Sequence, residues 1–103
     1  MPEKLVRDRI PEIIRKTGEE PVVRIASQSE FDSLLRKKVV EEAEELLLSG
    51  KTEEIGDIVE ALLELIRIRG LTWKEIEKIR ETKTFQRGGF TKRFVLFQED
   101  SDT

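Results

Sequence analysis

The sequence predicts a mainly α-helical domain built around an antiparallel helix hairpin, with two short strands beside it. Three observations predict this. Between Phe31 and Leu65, apolar residues recur at spacings of three and four. Glycines at 18, 50 and 70 and hydroxyl residues at 29, 52 and 72 punctuate those stretches as stop and start signals. Only two runs, 22–26 and 93–98, carry β-branched or alternating character. With 103 residues, 40% of them charged and 37% hydrophobic, the chain has room for one domain (1–103) and one small core.

The elements follow in order. Pro11 suits the first turn of a short helix running to Lys16, which Gly18 closes. Pro21-Val22-Val23-Arg24-Ile25-Ala26 contains the first strand. Ser29, with Asp32 three residues on, is placed to cap a long helix whose stripe is Phe31, Leu35, Val39 and Leu46. Ser49-Gly50-Lys51-Thr52 breaks it, and Thr52 is placed to cap a helix carrying Ile55, Ile58, Val59, Leu62, Leu63 and Ile66. Gly70 ends that helix. Thr72-Trp73-Lys74-Glu75 is a capping box for a fourth helix reaching about Lys83. Gly88-Gly89 breaks the chain before the second strand, and the last six residues, polar throughout, are expected to fray.

Composition excludes much chemistry. With no cysteine and no histidine, disulfides, thiolates, imidazole bases and Cys or His metal sites are all absent. Catalysis would have to run on carboxylates, lysine, arginine or hydroxyls. No apolar run reaches the roughly 20 residues of a membrane span, and Met1-Pro2-Glu3-Lys4 is not a signal peptide, so a cytoplasmic protein without a membrane partner is expected. Charge is segregated. Residues 41–64 hold nine carboxylates against Lys51, whereas 83–93 hold Lys83, Arg87, Lys92 and Arg93 with no acid. An acidic centre would repel the phosphates of duplex nucleic acid, but it suits a cation bound together with a small phosphorylated ligand.

Several acids fall where apolar residues belong. Glu42 continues the stripe of Leu35, Val39 and Leu46, and Glu54 lies in line with Ile58, Ala61 and Leu65. Glu45 is three residues beyond Glu42, and Asp57 three beyond Glu54, so each helix offers an i, i+3 pair. In an antiparallel hairpin closed at Gly50 these form two rungs, Glu45 with Glu54 and Glu42 with Asp57, about 4.5 Å apart at about 1.5 Å rise per residue. Four such carboxylates need a neutralising partner. A hard divalent cation, Mg²⁺ where phosphates complete the shell, is one; the lysines or arginines of a dimer partner are the other.

Glu41-Glu42-Ala43-Glu44-Glu45 followed by Glu54-Ile55-Gly56-Asp57 resembles the EExxE…ExxD signature of the all-α nucleoside triphosphate pyrophosphohydrolases, the MazG-like superfamily. Lys4-Leu5-Val6-Arg7-Asp8-Arg9-Ile10-Pro11-Glu12-Ile13-Ile14 and Arg87-Gly88-Gly89-Phe90 are similar to its small single-domain branch described as phosphoribosyl-ATP pyrophosphohydrolase-like. The resemblance implies a four-helix bundle completed by oligomerisation, as a homodimer or larger homo-oligomer. It also implies Mg²⁺-dependent hydrolysis of a nucleotide between its α and β phosphates, with Mn²⁺ as a substitute metal. The implied metal ligands are Glu42, Glu45, Glu54 and Asp57. Glu41 or Glu45 would orient the attacking water, and Lys4, Arg7, Lys83, Arg87, Lys92 and Arg93 are candidates for phosphate binding. Eight residues separate Glu45 from Glu54, fewer than the family usually has. Two alternatives stand beside this reading: the phosphoribosyl-ATP hydrolase of histidine biosynthesis, and a non-catalytic helical dimerisation module.

Overall fold

The computed structural model describes residues 3–97. The expected fraying of the last six residues, and the end of the second expected strand at 98, lie outside them. Four helices occur among the described residues: α1 (Ile10–Lys16), α2 (Gln28–Ser49), α3 (Thr52–Ile68) and α4 (Trp73–Arg87). They group into two compact units, one ending at Leu71 and the other beginning at Thr72.

In the first unit α2 and α3 pack along each other as the expected antiparallel hairpin. Its turn is tight because Gly50 adopts φ 65°, a left-handed conformation, and its amide donates to the Leu46 carbonyl at 2.8 Å. The helix starts correct two expectations. The cap of α2 falls two residues before Ser29, on Ser27, whose amide donates to Glu30 Oε2 at 2.9 Å. A glutamate three residues after the cap spans that distance, which makes Ser27-Glu30 a fuller capping box than Ser29-Asp32. Asp32 instead accepts from Arg36 at 2.9 Å and from Arg69, at the far end of α3, at 2.7 and 3.0 Å. At α3 the cap position falls on Lys51, and Thr52 becomes the first helical residue. Ser49 Oγ accepts the Lys51 amide at 3.2 Å, so the turn closes without a threonine cap.

Packing between the two helices is thin. Leu35, 3% exposed, and Ala61, 7% exposed, are the buried apolar residues among those described. Ile58, Leu62 and Leu65 are half-buried, whereas Val40, Leu47, Leu48, Ile55 and Leu63 remain exposed.

In the second unit α4 starts at the expected box, with Thr72 Oγ1 accepting the Glu75 amide at 3.2 Å. It runs past Lys83 to Arg87. Thr82 and Thr84 return their hydroxyls to the Lys78 and Arg80 carbonyls at 2.9 and 3.0 Å, and Gly88, at φ 84°, is the first residue to leave helical geometry.

Neither expected strand forms among the described residues. Val22 and Ile25 are almost fully exposed, and the backbone of 22–26 makes no ladder hydrogen bond. Such a short run, without a partner and without a covered face, gains too little to order as a strand. In 93–97 the start is blocked: Arg93 takes φ 60°, and its amide closes a turn onto the Phe90 carbonyl at 3.0 Å.

Candidate metal centre

The acids read as misplaced in the apolar stripes fall within the first unit's hairpin. α2 contributes Glu42, whose side chain is only 12% exposed, and α3 contributes Glu54 and Asp57. One carboxylate oxygen from each of the three lies within 4.8 Å of the others. At oxygen–metal distances of about 2.0–2.6 Å, two ligands on opposite sides of one hard cation stand about 4–5 Å apart, so this spacing and the all-oxygen donor set fit such an ion.

Two further candidate acids lie outside the three-oxygen cluster. Glu45 does not join the three-oxygen cluster and its side chain is exposed, although its charge still acts on Glu54. Glu41 faces the lysines: Lys4 Nζ is 3.4 Å and Lys38 Nζ 3.3 Å from its two oxygens. One oxygen each of Glu42, Glu54 and Asp57 thus makes up the cluster, and the charge of Glu45 is the first of four that act on Glu54.

The cluster is unevenly compensated. Arg7 donates to Asp57 Oδ1 at 2.7 Å, and Lys38 pairs with Glu42 at 3.2 Å. Burial alone would lower the Lys38 pKa, but Glu42 and Glu41 outweigh it and hold that pKa above the usual lysine value. Glu54 receives a single weak hydrogen bond, from Ser49 Oγ at 3.5 Å. Its own partial burial, then the charges of Glu45, Asp57, Glu42 and Glu53, push its pKa up. A carboxyl that burial and then neighbouring acids keep from ionising is a group that a cation would relieve.

Lys4 and Arg7 thus contact the carboxylates directly. Lys83, Arg87, Lys92 and Arg93 belong to the second unit, all exposed, on α4 and in the turn that follows it. Lys38 was missed by the sequence reading. Its signal was present, since it stands three residues before Glu41 and four before Glu42 on one helix. A second omission is a cavity of about 440 Å³ beside Glu42 and Asp57, which takes in Leu5, Val6, Phe31, Leu35 and Ala61. A hollow formed by a loop, two helix faces and a sequence-distant acid pair has no local sequence signature.

The chain matches no family model, and no solved structure matches it. A protein of Mycolicibacterium smegmatis, described as uncharacterized, is 51% identical over 43 residues, which is 42% of this chain and 44% of that protein. The match spans less than half of either chain, and that description carries no activity. No helix among the described residues is long and apolar enough to cross a membrane.

Proposed function

We propose that the chain is a divalent-metal-dependent nucleotide pyrophosphohydrolase of the MazG-like kind, cleaving a nucleoside triphosphate or related nucleotide to a monophosphate and pyrophosphate. The observation that carries this reading is the convergence of Glu42, Glu54 and Asp57, from two helices, on one point. The resemblance of the acidic segments adds the reaction. In this reading Glu42, Glu54 and Asp57 hold Mg²⁺, or Mn²⁺ in its place. The bound ion supplies neutralisation of phosphate charge and a water of lowered pKa.

The chain's residues divide the remaining work. Glu45 is exposed, next to Glu54 and outside the three-oxygen cluster, so it is the better placed of the two candidate bases to orient a water and take its proton. Glu41 is held by Lys4 and Lys38. As water attacks the α-phosphorus, the bond to the oxygen bridging the α and β phosphates breaks, and pyrophosphate leaves with that electron pair. Lys4 and Arg7 are at hand for the phosphate oxygens.

A homodimer belongs to the same proposal. Exposed Val40, Ile55, Val59 and Leu63 leave apolar surface on both helices of the hairpin, which a second copy would cover. The same surface favours the second reading, a non-catalytic dimerisation module. Pyrophosphate release from a panel of canonical and modified triphosphates and phosphoribosyl-ATP, with and without Mg²⁺, separates the readings. The expected result is Mg²⁺-dependent release that falls more than about 100-fold in a Glu42→Gln, Asp57→Asn variant, because metal ligands matter at least as much as the groups that orient them. Release from none of the substrates by the folded wild type would leave the dimerisation module.

A further inference from the structure

Residues 3–9, ahead of α1, are not helical and are held to the hairpin unit by charge. Arg24 donates to Glu3 at 2.7 Å, Lys4 pairs with Glu41 at 3.4 Å, and Arg7 donates to Asp57 at 2.7 Å. Between these anchors Leu5 and Val6 line the 440 Å³ cavity together with Phe31, Leu35 and Ala61. Arg7 lines that cavity and also reaches the carboxylate cluster, so its guanidinium sits where the two meet. It makes one hydrogen bond there, although a guanidinium can donate five.

We propose that Arg7 is an exchangeable counter-ion: it pairs with Asp57 while that carboxylate has no cation, and turns to a nucleotide phosphate at the cavity mouth once a divalent cation takes Asp57. This rests on the metal-centre reading above. Arg7 and a divalent ion compete for Asp57 because each claims the same carboxylate and two positive charges a few ångströms apart repel. The incumbent pair is weak, since its side chains are 55% and 38% exposed, and exposed pairs contribute little. Arg7 cannot yield by losing its proton, so release means moving. The cavity beside it is lined by apolar side chains that suit the organic part of a nucleotide, but also by Asp8, Glu42, Asp57, Glu60 and Glu64, so a phosphate would enter only together with a cation. A phosphate arriving there with its cation is the anion that a freed guanidinium recognises in a two-bond fork.

The device predicts effects of opposite sign. Calorimetric titration with Mn²⁺ alone should show Arg7→Gln binding the metal about 2–5-fold more tightly than wild type, the competitor having gone. Titration with a non-hydrolysable α,β-methylene triphosphate in saturating Mn²⁺ should show the same variant binding at least about 10-fold more weakly. Arg7→Lys, which keeps the charge but not the fork, should match wild type toward Mn²⁺ and fall between the two toward the nucleotide. A residue that only holds the segment in place would weaken both ligands together in Arg7→Gln, and that result overturns the proposal. Unchanged Mn²⁺ affinity in Arg7→Gln, with wild type binding normally, overturns it while leaving the metal centre standing. Absence of Mn²⁺ binding in both proteins removes the metal centre and the exchange with it.

Discussion

The two ends of the α2–α3 hairpin treat their acids in opposite ways. At the end away from the turn, Asp32 is gripped by Arg69 and Arg36, and these hydrogen bonds, Arg69 first, hold its pKa below the usual aspartate range. Nearer the turn, Glu54 is pushed the other way by partial burial and four neighbouring carboxylates. Both acids lie on the same two helices and are partly covered. The difference is compensation: an acid that ties helix ends together brings its arginines, whereas the acids of the candidate centre outnumber their cations.

The largest test acts on what both ends share. Leu35 is the most buried side chain described and lies one turn from Asp32 and two from Glu42. Leu35→Ala should destabilise the fold by about 2–5 kcal/mol. In a denaturant titration it should loosen both ends in one transition; loss of one end alone would show that the hairpin is not a single unit.

A second test sharpens the difference in sign. Because the Glu54 pKa is raised in the fold, its charged form disfavours folding at pH values above that raised pKa. Glu54→Gln should therefore raise the Tm of the metal-free protein at pH 7. The gain should fade on acidification and vanish below the ordinary value of 4.5, where both folded and unfolded wild type carry the proton. The same variant should bind Mn²⁺ more weakly. A variant that is less stable at pH 7 would show that Glu54 is compensated after all.

The smallest effect comes from a compensated acid near Asp32. Glu30 is held at about 2, against an ordinary 4.5, first by its hydrogen bond from Arg24 and then by Ser27. Its contribution is present above 4.5 and is lost as pH falls from there toward 2. Arg24→Gln should flatten the dependence of Tm on pH across that window, and an unchanged slope would mean that the pair contributes nothing.

Much of this contrast was legible in the sequence. Periodicity located α2 and α3, and Gly50 located the turn between them, because these signals are local. The interruption of two apolar stripes by Glu42 and Glu54 pointed at the cluster before any distance was known. What escaped depended on side-chain reach. Spacing makes Asp32 a capping-box partner of Ser29 and does not reveal that Arg69 stands across from it. The strands failed for a related reason: alternation in 93–97 shows what a strand would bury, and neither a covering surface nor a ladder partner is written in the run itself.

The most direct test of the contrast compares two aspartates of one hairpin. Mn²⁺ would be titrated calorimetrically into wild type, Asp57→Asn and Asp32→Asn, each checked for folding by circular dichroism. The account predicts saturable binding to wild type, unchanged in Asp32→Asn and weakened at least about 10-fold in Asp57→Asn. Equal loss in both variants, or no binding to the folded wild type, would contradict it.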